Sequence, residues 1–489
     1  MFAHIQTAAV RREDDLNEVC SNSNYIAHYT ASHTDFSSLV IVVLWKDNLP
    51  GPSIVHDGLP LLYVHHHSRP AEDFKDWKEF QQQKKDDPAL QHQKTGEEYT
   101  FDQLQNATMM NNVIGKHFER LFASHSNLMA IRPSDQLNDG AHFIEFVVLC
   151  KNFIPSIDKS PLPRDLDGIP TRVSSGWIEL CGRSEQLYHR PLRPGAGFAV
   201  GVDANLDLSA SEEDYHPPVI GTIGGFYITE DGQTYGVTCG HCLRVIANSN
   251  NLHPAGSPIF QPCAMGIIVN AASTDPGLLD AYDTLKESKG HLGAMKWMIT
   301  QLRDNDNSFS TDLPLDAQCG CVLGGVLGPL DTVGDTHVDV GLVTLSIPTQ
   351  QKCLSSRKFP ELQSPDLYFK EGEDPMQKVL QRKNFPQTCF YVYGRGARSI
   401  DTMRATVNPL QTDMYFRTLE LSVDLVFRCI HAETNMNWQR GDSGTWCWTE
   451  DKKLVGMGIG YAHIEGKHFC CMLPMTNVLE SIHHLINRR

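Results

Sequence analysis

The sequence predicts a mostly β region from residue 219 onward, preceded by an α+β N-terminal domain over residues 1–200. Three observations support this division. After residue 219, short apolar runs alternate with turns of Gly, Asp and Asn, which is typical of all-β proteins. Before residue 200, apolar runs of strand length accompany one helical pattern. A Pro- and Gly-rich segment at 191–197 and the polar stretch 209–218 lie between the two, so we place a domain boundary there.

The N-terminal domain combines three predicted strands with one predicted helix. The strands are the apolar runs 39–45, 61–64 and 143–149. Between the second and third runs, apolar residues recur every three or four positions, which is the period of an amphipathic helix. These residues are Leu104, Ala107, Met110, Ile114, Phe118 and Leu121. None of these patterns indicates a role for the domain.

The C-terminal region contains seven predicted strands in two β halves. They are the runs 221–229, 235–239, 259–269, 337–347, 390–393, 419–430 and 454–461. Two segments interrupt the β pattern, a predicted helix over 278–303 and an irregular connector over 352–387. An amphipathic helix is predicted over 475–486, at the end of the chain.

Composition and charge argue against several classes of protein. The chain has 489 residues, of which 41% are hydrophobic and 20% charged, as in globular proteins. Its formal net charge of −16 disfavours general binding to nucleic acid or anionic membranes. No apolar run approaches the about 18 residues that indicate a membrane-spanning helix. Residues 1–10 are short and mixed, so we expect no signal peptide, and the 14 dispersed cysteines then indicate reduced thiols in a cytosolic or nuclear protein.

Two short motifs, about two hundred residues apart, carry the chemistry. Residues 238–242 read Thr-Cys-Gly-His-Cys, and residues 440–444 read Arg-Gly-Asp-Ser-Gly. A serine hydroxyl is a poor nucleophile at neutral pH, so it needs a base close to it in space. His241 and Ser443 therefore form a candidate pair of general base and nucleophile. The alternative for Gly-Asp-Ser-Gly alone is a hairpin loop capped by Asp442.

The glycines near these motifs support a shared site. Small residues around Ser443 allow backbone N–H groups to converge on an oxyanion. Gly456, Gly458 and Gly460 alternate along an apolar run, so one strand face has almost no side chains. Such a face allows another backbone, for example that of a peptide, to approach closely.

Taken together, these motifs resemble those of the chymotrypsin-like serine peptidases. Members of that family have a Gly-Gly pair before the catalytic His, an Asp at the start of an apolar strand, and Gly-Asp-Ser-Gly around the nucleophile, in that order. Here the corresponding residues are Gly224–Gly225, His241 and Ser443. The resemblance covers residues 219–489 and leaves residues 1–200 unexplained.

The resemblance implies a fold of two six-stranded antiparallel β-barrels with the active site in the cleft between them. The first barrel would span about 219–350 and the second about 388–475, joined by a linker over 351–387. The C-terminal helix would follow over 475–487.

For the acidic member of the triad we choose Asp339, which opens the apolar run Val340 to Leu345. A carboxylate at the start of such a strand can lie buried against a histidine ring, where it fixes the tautomer and stabilises the imidazolium. Its nearest rivals are Asp331 and Asp335. Only Asp339 combines the order His, Asp, Ser with an embedded strand.

The resemblance also implies roles for residues around the nucleophile. The amides of Gly441 and Ser443 would form the oxyanion hole. Asn437, six residues before the nucleophile, would lie at the base of the specificity pocket, and its uncharged side chain gives no reason to assume trypsin-type specificity. In secreted members Asp442 pairs with a new N-terminus, for which this sequence has no evident counterpart.

Cysteine positions favour an intracellular type of this family. In secreted members, a cysteine precedes the Gly-Gly pair and another lies four residues before the nucleophile. Here those positions are Ile223 and Gln439. The chain therefore resembles the intracellular trypsin-like peptidases, in which an N-terminal extension precedes the barrels.

Two alternatives remain open beside a serine endopeptidase acting on protein or peptide substrates. One is an inactive protease-like module that binds proteins. The other is a dithiol oxidoreductase, because Cys239-Gly240-His241-Cys242 is also the motif of protein disulfide isomerases. The motif lacks the preceding Trp and a βαβ context, which argues against that second alternative. We expect no cofactor, no metal, no nucleic acid and no membrane partner, and the sequence does not indicate an oligomeric state.

Overall fold

A computed structural model describes most of the chain. The described residues are 25–33, 39–45, 55–56, 59–65, 98–134, 142–148, 153–155, 161–180, 192–201, 219–245, 251–261, 267–268, 271–272, 276–306, 309–310, 317–330, 334–346, 364–396, 403–418, 425–434, 442–464 and 467–488.

Ten strands precede residue 219: β1 (Tyr25–His33), β2 (Leu39–Trp45), β3 (Val55–His56), β4 (Leu59–His65), β5 (Leu128–Ser134), β6 (Phe143–Val148), β7 (Phe153–Pro155), β8 (Asp165–Leu166), β9 (Ile169–Leu180) and β10 (Ala196–Val200) within the described ranges. The strands of the C-terminal region are β11 (Ile220–Ile223), β12 (Gly225–Ile228), β13 (Thr234–Thr238), β14 (Pro258–Phe260), β15 (Gln318–Leu330), β16 (Gly334–Leu345), β17 (Tyr368–Lys370), β18 (Phe390–Gly394), β19 (Met403–Val407), β20 (Asp413–Phe416), β21 (Phe427–Thr434), β22 (Trp446–Thr449), β23 (Leu454–Ile464) and β24 (Lys467–Pro474). The helices are α1 (Phe101–Ser124), α2 (Pro276–Asn305) and α3 (Met475–Asn487).

The predicted mostly β class is confirmed. Within the described ranges, the strands form a five-stranded sheet and a 19-stranded sheet. Most pairings in the larger sheet are antiparallel, with parallel exceptions such as β12 with β17 and β6 with β9. The closure of two separate barrels stays a prediction.

Sequence patterns located the helices well and some of the strands poorly. All three predicted helices form, and α2 contains a kink at Gly290, which has a φ of 76°. The predicted strand at 259–269 is wrong at residues 267–268, which are helical, and β14 covers only its start. No strand was predicted at β15, because its glycines are typical of loops. At Gly320 a side chain is excluded, because a Cβ would lie 2.0 Å from the carbonyl oxygen of Thr344 on β16.

Helix α1 is stabilised by a cap at its N-terminus and by burial of one apolar face. The Thr100 hydroxyl accepts from the Gln103 amide, and the Gln103 side chain accepts from the Thr100 amide, which forms a capping box. The predicted apolar stripe is buried from Ala107 to Leu121 and packs against β5 and β6.

Five of the ten described strands that precede residue 219, namely β5, β6, β8, β9 and β10, share the sheet of the C-terminal region. β9 pairs with β23, β5 pairs with β20, and β10 pairs with β11 and β14. Backbone hydrogen bonds thus connect both sides of the predicted boundary, and the division into domains stays a prediction. No described helix is both long and apolar enough to span a bilayer.

Pairing of β13 with β16 positions the first part of the candidate site. Thr238, at the end of β13, lies opposite Gly341 of β16 in an antiparallel register. The chain then enters a 3₁₀ turn over Gly240–Leu243. Because Asp339 lies two residues before Gly341 on the same strand, this register brings Asp339 next to that turn.

Candidate active site

His241 and Asp339 form a fully buried pair. His241 Nδ1 lies 2.5 Å from Asp339 Oδ2, and the His241 backbone amide donates to Asp339 Oδ1 at 2.8 Å. Both side chains are 0% exposed. Two contacts to one carboxylate fix both the ring and the turn that carries it, an arrangement that holds one imidazole tautomer.

Gly240 permits this close approach. A Cβ on Gly240 would lie 2.7 Å from the carbonyl oxygen of Val326 and 3.2 Å from Asp339 Oδ1. A side chain there would therefore push the turn away from β15 and β16. Of the rival acids, Asp331 lies outside the described residues, and nothing is described of the Asp335 side chain.

The electrostatics of the pair favour a positively charged ring. Burial disfavours the charged form, but the Asp339 carboxylate and the nearby Cys242 sulfur outweigh it and raise the pKa of His241 above its ordinary value. Stabilisation of the imidazolium is the role that a buried carboxylate has beside a general base.

Ser443 lies in a tight, buried loop before β22. Its side chain is fully buried, and its Oγ donates to the carbonyl oxygen of Ile459 on β23 at 3.1 Å. Its own carbonyl oxygen accepts from the Thr222 amide at 2.9 Å. The next residue, Gly444, has a φ of 102°, which glycine adopts most easily.

The Gly-Gly pair before β12 has a steric role. A Cβ on Gly224 would lie 1.8 Å from the carbonyl oxygen of Gly444, and one on Gly225 would lie 2.4 Å from the ring of Trp446. The pair therefore allows the β11–β12 segment to contact the serine loop. This contact is one link between the segment that leads to the first motif and the loop that carries the second.

Cys242 makes the second link between the motifs. Its Sγ donates to the Ser443 carbonyl oxygen at 3.9 Å, so the serine backbone lies against the residue next to His241. His241 Nε2 is buried and has no hydrogen-bond partner among the described atoms. The structure thus brings both motifs to one place, with Ser443 Oγ directed toward β23 and its carbonyl toward β11 and Cys242.

At Gly458 the backbone edge of β23 pairs with the serine loop. The Gly444 amide donates to the Gly458 carbonyl oxygen, and the Gly458 amide donates to the Thr445 carbonyl oxygen, each at 2.8 Å. The close backbone approach predicted for this strand is therefore made, at Gly458, by the serine loop. Sequence reasoning missed the Ile459 acceptor and the Thr222 donor, because main-chain groups have no residue-specific signal.

Asp442 is fully buried against the segment that follows β18. A Cβ on Gly396 would lie 2.1 Å from Asp442 Oδ1, so the carboxylate occupies the space that a side chain would need. The predicted oxyanion residue Gly441 and the predicted pocket residue Asn437 lie outside the described residues. Their roles stay predictions.

The two cysteines of the first motif are buried free thiols. Cys239 Sγ donates to the Gly458 carbonyl oxygen at 3.3 Å, and both cysteines are 0% exposed. Disulfide exchange requires an accessible thiolate, so this burial argues against a dithiol oxidoreductase. Each cysteine in the described part of the chain is a free thiol.

Comparisons with known proteins return remote likenesses. No protein-family profile and no curated protein matches the chain. The solved structures that are similar to part of it include two proteases. A Nocardiopsis protease (NAPase) is 11% identical, with 54% of this chain and 89% of that one covered and a TM-score of 0.24. The apo MamO protease domain from Magnetospirillum magneticum is 12% identical, with 59% and 95% covered and a TM-score of 0.27. At such scores these likenesses carry no argument about this chain.

Proposed function

We propose that this chain is a serine endopeptidase, with Ser443 as nucleophile, His241 as general base and Asp339 as the group that orients His241. The observation that carries the proposal is the buried His241–Asp339 pair beside the Ser443 backbone. Asp339 accepts from Nδ1 of His241 at 2.5 Å, which leaves Nε2 to take the proton of the serine hydroxyl.

The reaction follows from these groups. Ser443 Oγ attacks the scissile carbonyl while His241 takes its proton, and an acyl-enzyme forms when His241 returns that proton to the leaving amine. The Gly441 and Ser443 amides stabilise the oxyanion, with each donor worth about 10²- to 10³-fold in rate. Asn437 lines the specificity pocket without a charge. Protein or peptide is the substrate, and no cofactor takes part.

The proposed fold and location follow the same resemblance. The two β halves form the two barrels of a chymotrypsin-like peptidase, and residues 1–200 form an N-terminal extension. The absence of cysteine at Ile223 and Gln439 supports an intracellular type, in the cytosol or nucleus.

Catalysis requires a rearrangement of the buried serine. Ser443 Oγ donates to the Ile459 carbonyl oxygen, and the residue is 0% exposed. A nucleophile must contact its substrate, so the surface above the loop opens and the hydroxyl turns from Ile459 toward His241 Nε2. Such gating steps are common among enzymes.

An inactive protease-like binding module is the second candidate. The same burial favours it, since a serine hydroxyl satisfied by a backbone carbonyl has no catalytic partner in this arrangement. The two candidates differ in one observable property, the reactivity of Ser443.

Covalent labelling with a fluorophosphonate probe tests both candidates. The full chain is expected to react with one equivalent of probe, and Ser443→Ala is expected to abolish the reaction. Ser481→Ala is a matched control, because Ser481 is equally buried and donates to the Asn477 carbonyl oxygen at 2.8 Å. Labelling that persists in Ser443→Ala, or no labelling of the wild-type chain, would exclude the peptidase and favour the binding module.

A further inference from the structure

Three potential metal ligands, one of them the candidate base, form one buried cluster at the first motif. The ligand atoms of Cys239, His241 and Cys242 all lie within 4.8 Å of one another, and all three residues are buried. Local geometry explains the cluster. Cys239 precedes the 3₁₀ turn over Gly240–Leu243 in an extended conformation, and the turn folds His241 and Cys242 back beside it.

The histidine is oriented as a metal ligand usually is. Its Nδ1 faces the Asp339 carboxylate, which is the common carboxylate–histidine–metal arrangement and makes the second nitrogen a better ligand. That second nitrogen, Nε2, is buried and lacks a hydrogen-bond partner among the described atoms. A buried polar atom without a hydrogen-bond partner costs folding free energy. A cation bound to Nε2 would remove that cost.

The donor set selects the class of cation. Two sulfurs and one imidazole nitrogen suit Zn²⁺ and related thiolate-binding ions, whereas Mg²⁺ and Ca²⁺ prefer oxygen. Two thiolates neutralise the charge of a dication, which burial requires. Zinc–sulfur and zinc–nitrogen bonds of about 2.0 to 2.3 Å imply ligand separations of roughly 3.5 to 3.8 Å, so contraction by at most about 1.3 Å is sufficient.

We propose that Cys239, His241 and Cys242 form an inhibitory site for a zinc-type divalent cation. On binding, both thiols and the charged His241 ring lose their protons to solvent, and Nε2 then donates its lone pair to the metal. The inhibitory role rests on the proposed peptidase function, because that same lone pair must accept the proton of Ser443. Metal binding and general-base catalysis are therefore mutually exclusive at His241.

The proposal departs from the expectation of no metal. The structure suggests three ligands from one turn, with the fourth position left for water or an exogenous ligand, as in zinc sites with three protein ligands.

Cobalt substitution in the full-length chain tests the site without reference to activity. Metal is removed with a chelator under reducing conditions, and Co²⁺ is then titrated while sulfur-to-cobalt charge-transfer absorption is followed. We expect one equivalent to bind, and Zn²⁺ to displace it. Cys239→Ser and Cys242→Ser are each expected to weaken binding by at least about 100-fold, the upper range for losing a ligand's hydrogen-bond partner.

Cys319→Ser is the matched control, because Cys319 is equally buried and donates to the Ile259 carbonyl oxygen at 3.7 Å. It should bind Co²⁺ like the wild type. Thermal melts and the parallel variants Cys239→Ala and Cys242→Ala separate loss of ligand from loss of fold. No binding by the wild-type chain, or binding that both pairs of variants retain, would overturn the site.

Fluorophosphonate labelling of the metal-free and the Zn²⁺-saturated chain tests the inhibitory role. Labelling of the metal-free form at least 10-fold faster supports inhibition. Equal labelling of both forms overturns inhibition, although the metal site and the peptidase stand. If Co²⁺ binds as expected and neither form is labelled, the peptidase and the inhibitory role fail together, whereas the metal site stands.

Discussion

The two sides of the candidate site differ in how well their side chains are positioned for the proposed reaction. On the side of the first β half, His241 makes two contacts with Asp339, at 2.5 and 2.8 Å, and its ring orientation is fixed. On the side of the second half, Ser443 Oγ donates to Ile459 on its own sheet. In the proposed peptidase the base is therefore already positioned and the nucleophile is not, so activation is expected to change the serine loop more than the histidine turn.

Asp339→Asn is expected to have the largest effect. If the His241–Asp339 pair is needed for catalysis, an amide at position 339 holds the wrong histidine tautomer and lowers kcat by about 10⁴-fold. Peptide hydrolysis and fluorophosphonate labelling measure this loss. Thermal melts should show that the variant still folds, and a folded variant with near-normal labelling would contradict the role of Asp339.

Gly224→Ala is expected to break the contact between the two sides. Its Cβ would lie 1.8 Å from the Gly444 carbonyl oxygen, so the serine loop must move at a cost of about 3 kcal/mol or more. Urea unfolding measures the loss. Gly324→Ala is the matched control, because its Cβ meets no atom closer than 3.7 Å. Similar stabilities for the two variants would show that the loop is not held by this contact.

Acid unfolding is expected to depend on His431, a second buried histidine outside the His241–Asp339 pair. Burial and the nearby Arg132 hold the pKa of His431 well below its ordinary value, and Arg382 acts in the same direction. Below about pH 6.5 the unfolded ring binds a proton that the folded ring excludes, so stability falls by up to about 1.4 kcal/mol per pH unit.

His431→Gln removes that titration. Its free energy of unfolding should therefore decrease less than that of the wild type between pH 7.5 and pH 5. Parallel pH curves for the two proteins would show that His431 is not the acid-sensitive group.

Thr100→Ala is expected to have the smallest effect and to leave the site intact. The Thr100 hydroxyl accepts from the Gln103 amide at the start of α1, and loss of such a cap costs about 1 kcal/mol. Chemical denaturation measures the change, with Thr108→Ala as an exposed control inside the same helix. A large loss of fluorophosphonate labelling in Thr100→Ala would contradict this prediction. It would show that the start of α1 affects the serine loop.

Sequence patterns predicted elements whose signal lies in side chains. The apolar stripe from Ala107 to Leu121 located α1, because burial of one helix face requires a period of three to four residues. The strand context of Asp339 selected the carboxylate that contacts His241. By contrast, β15 escaped prediction, since the glycines that permit its pairing with β16 resemble turn residues.

The chemistry of this protein is determined by its sequence, because only particular side chains can act as base, acid or nucleophile. Side-chain chemistry, motif context and the resemblance to serine peptidases together selected His241, Asp339 and Ser443 as candidates. Tertiary structure decided what these groups contact. It directed Ser443 Oγ to the carbonyl of Ile459, brought two thiols close to the His241 ring, and paired β9 with β23. Backbone donors and acceptors are the same in every residue type, so their long-range partners follow from packing and register.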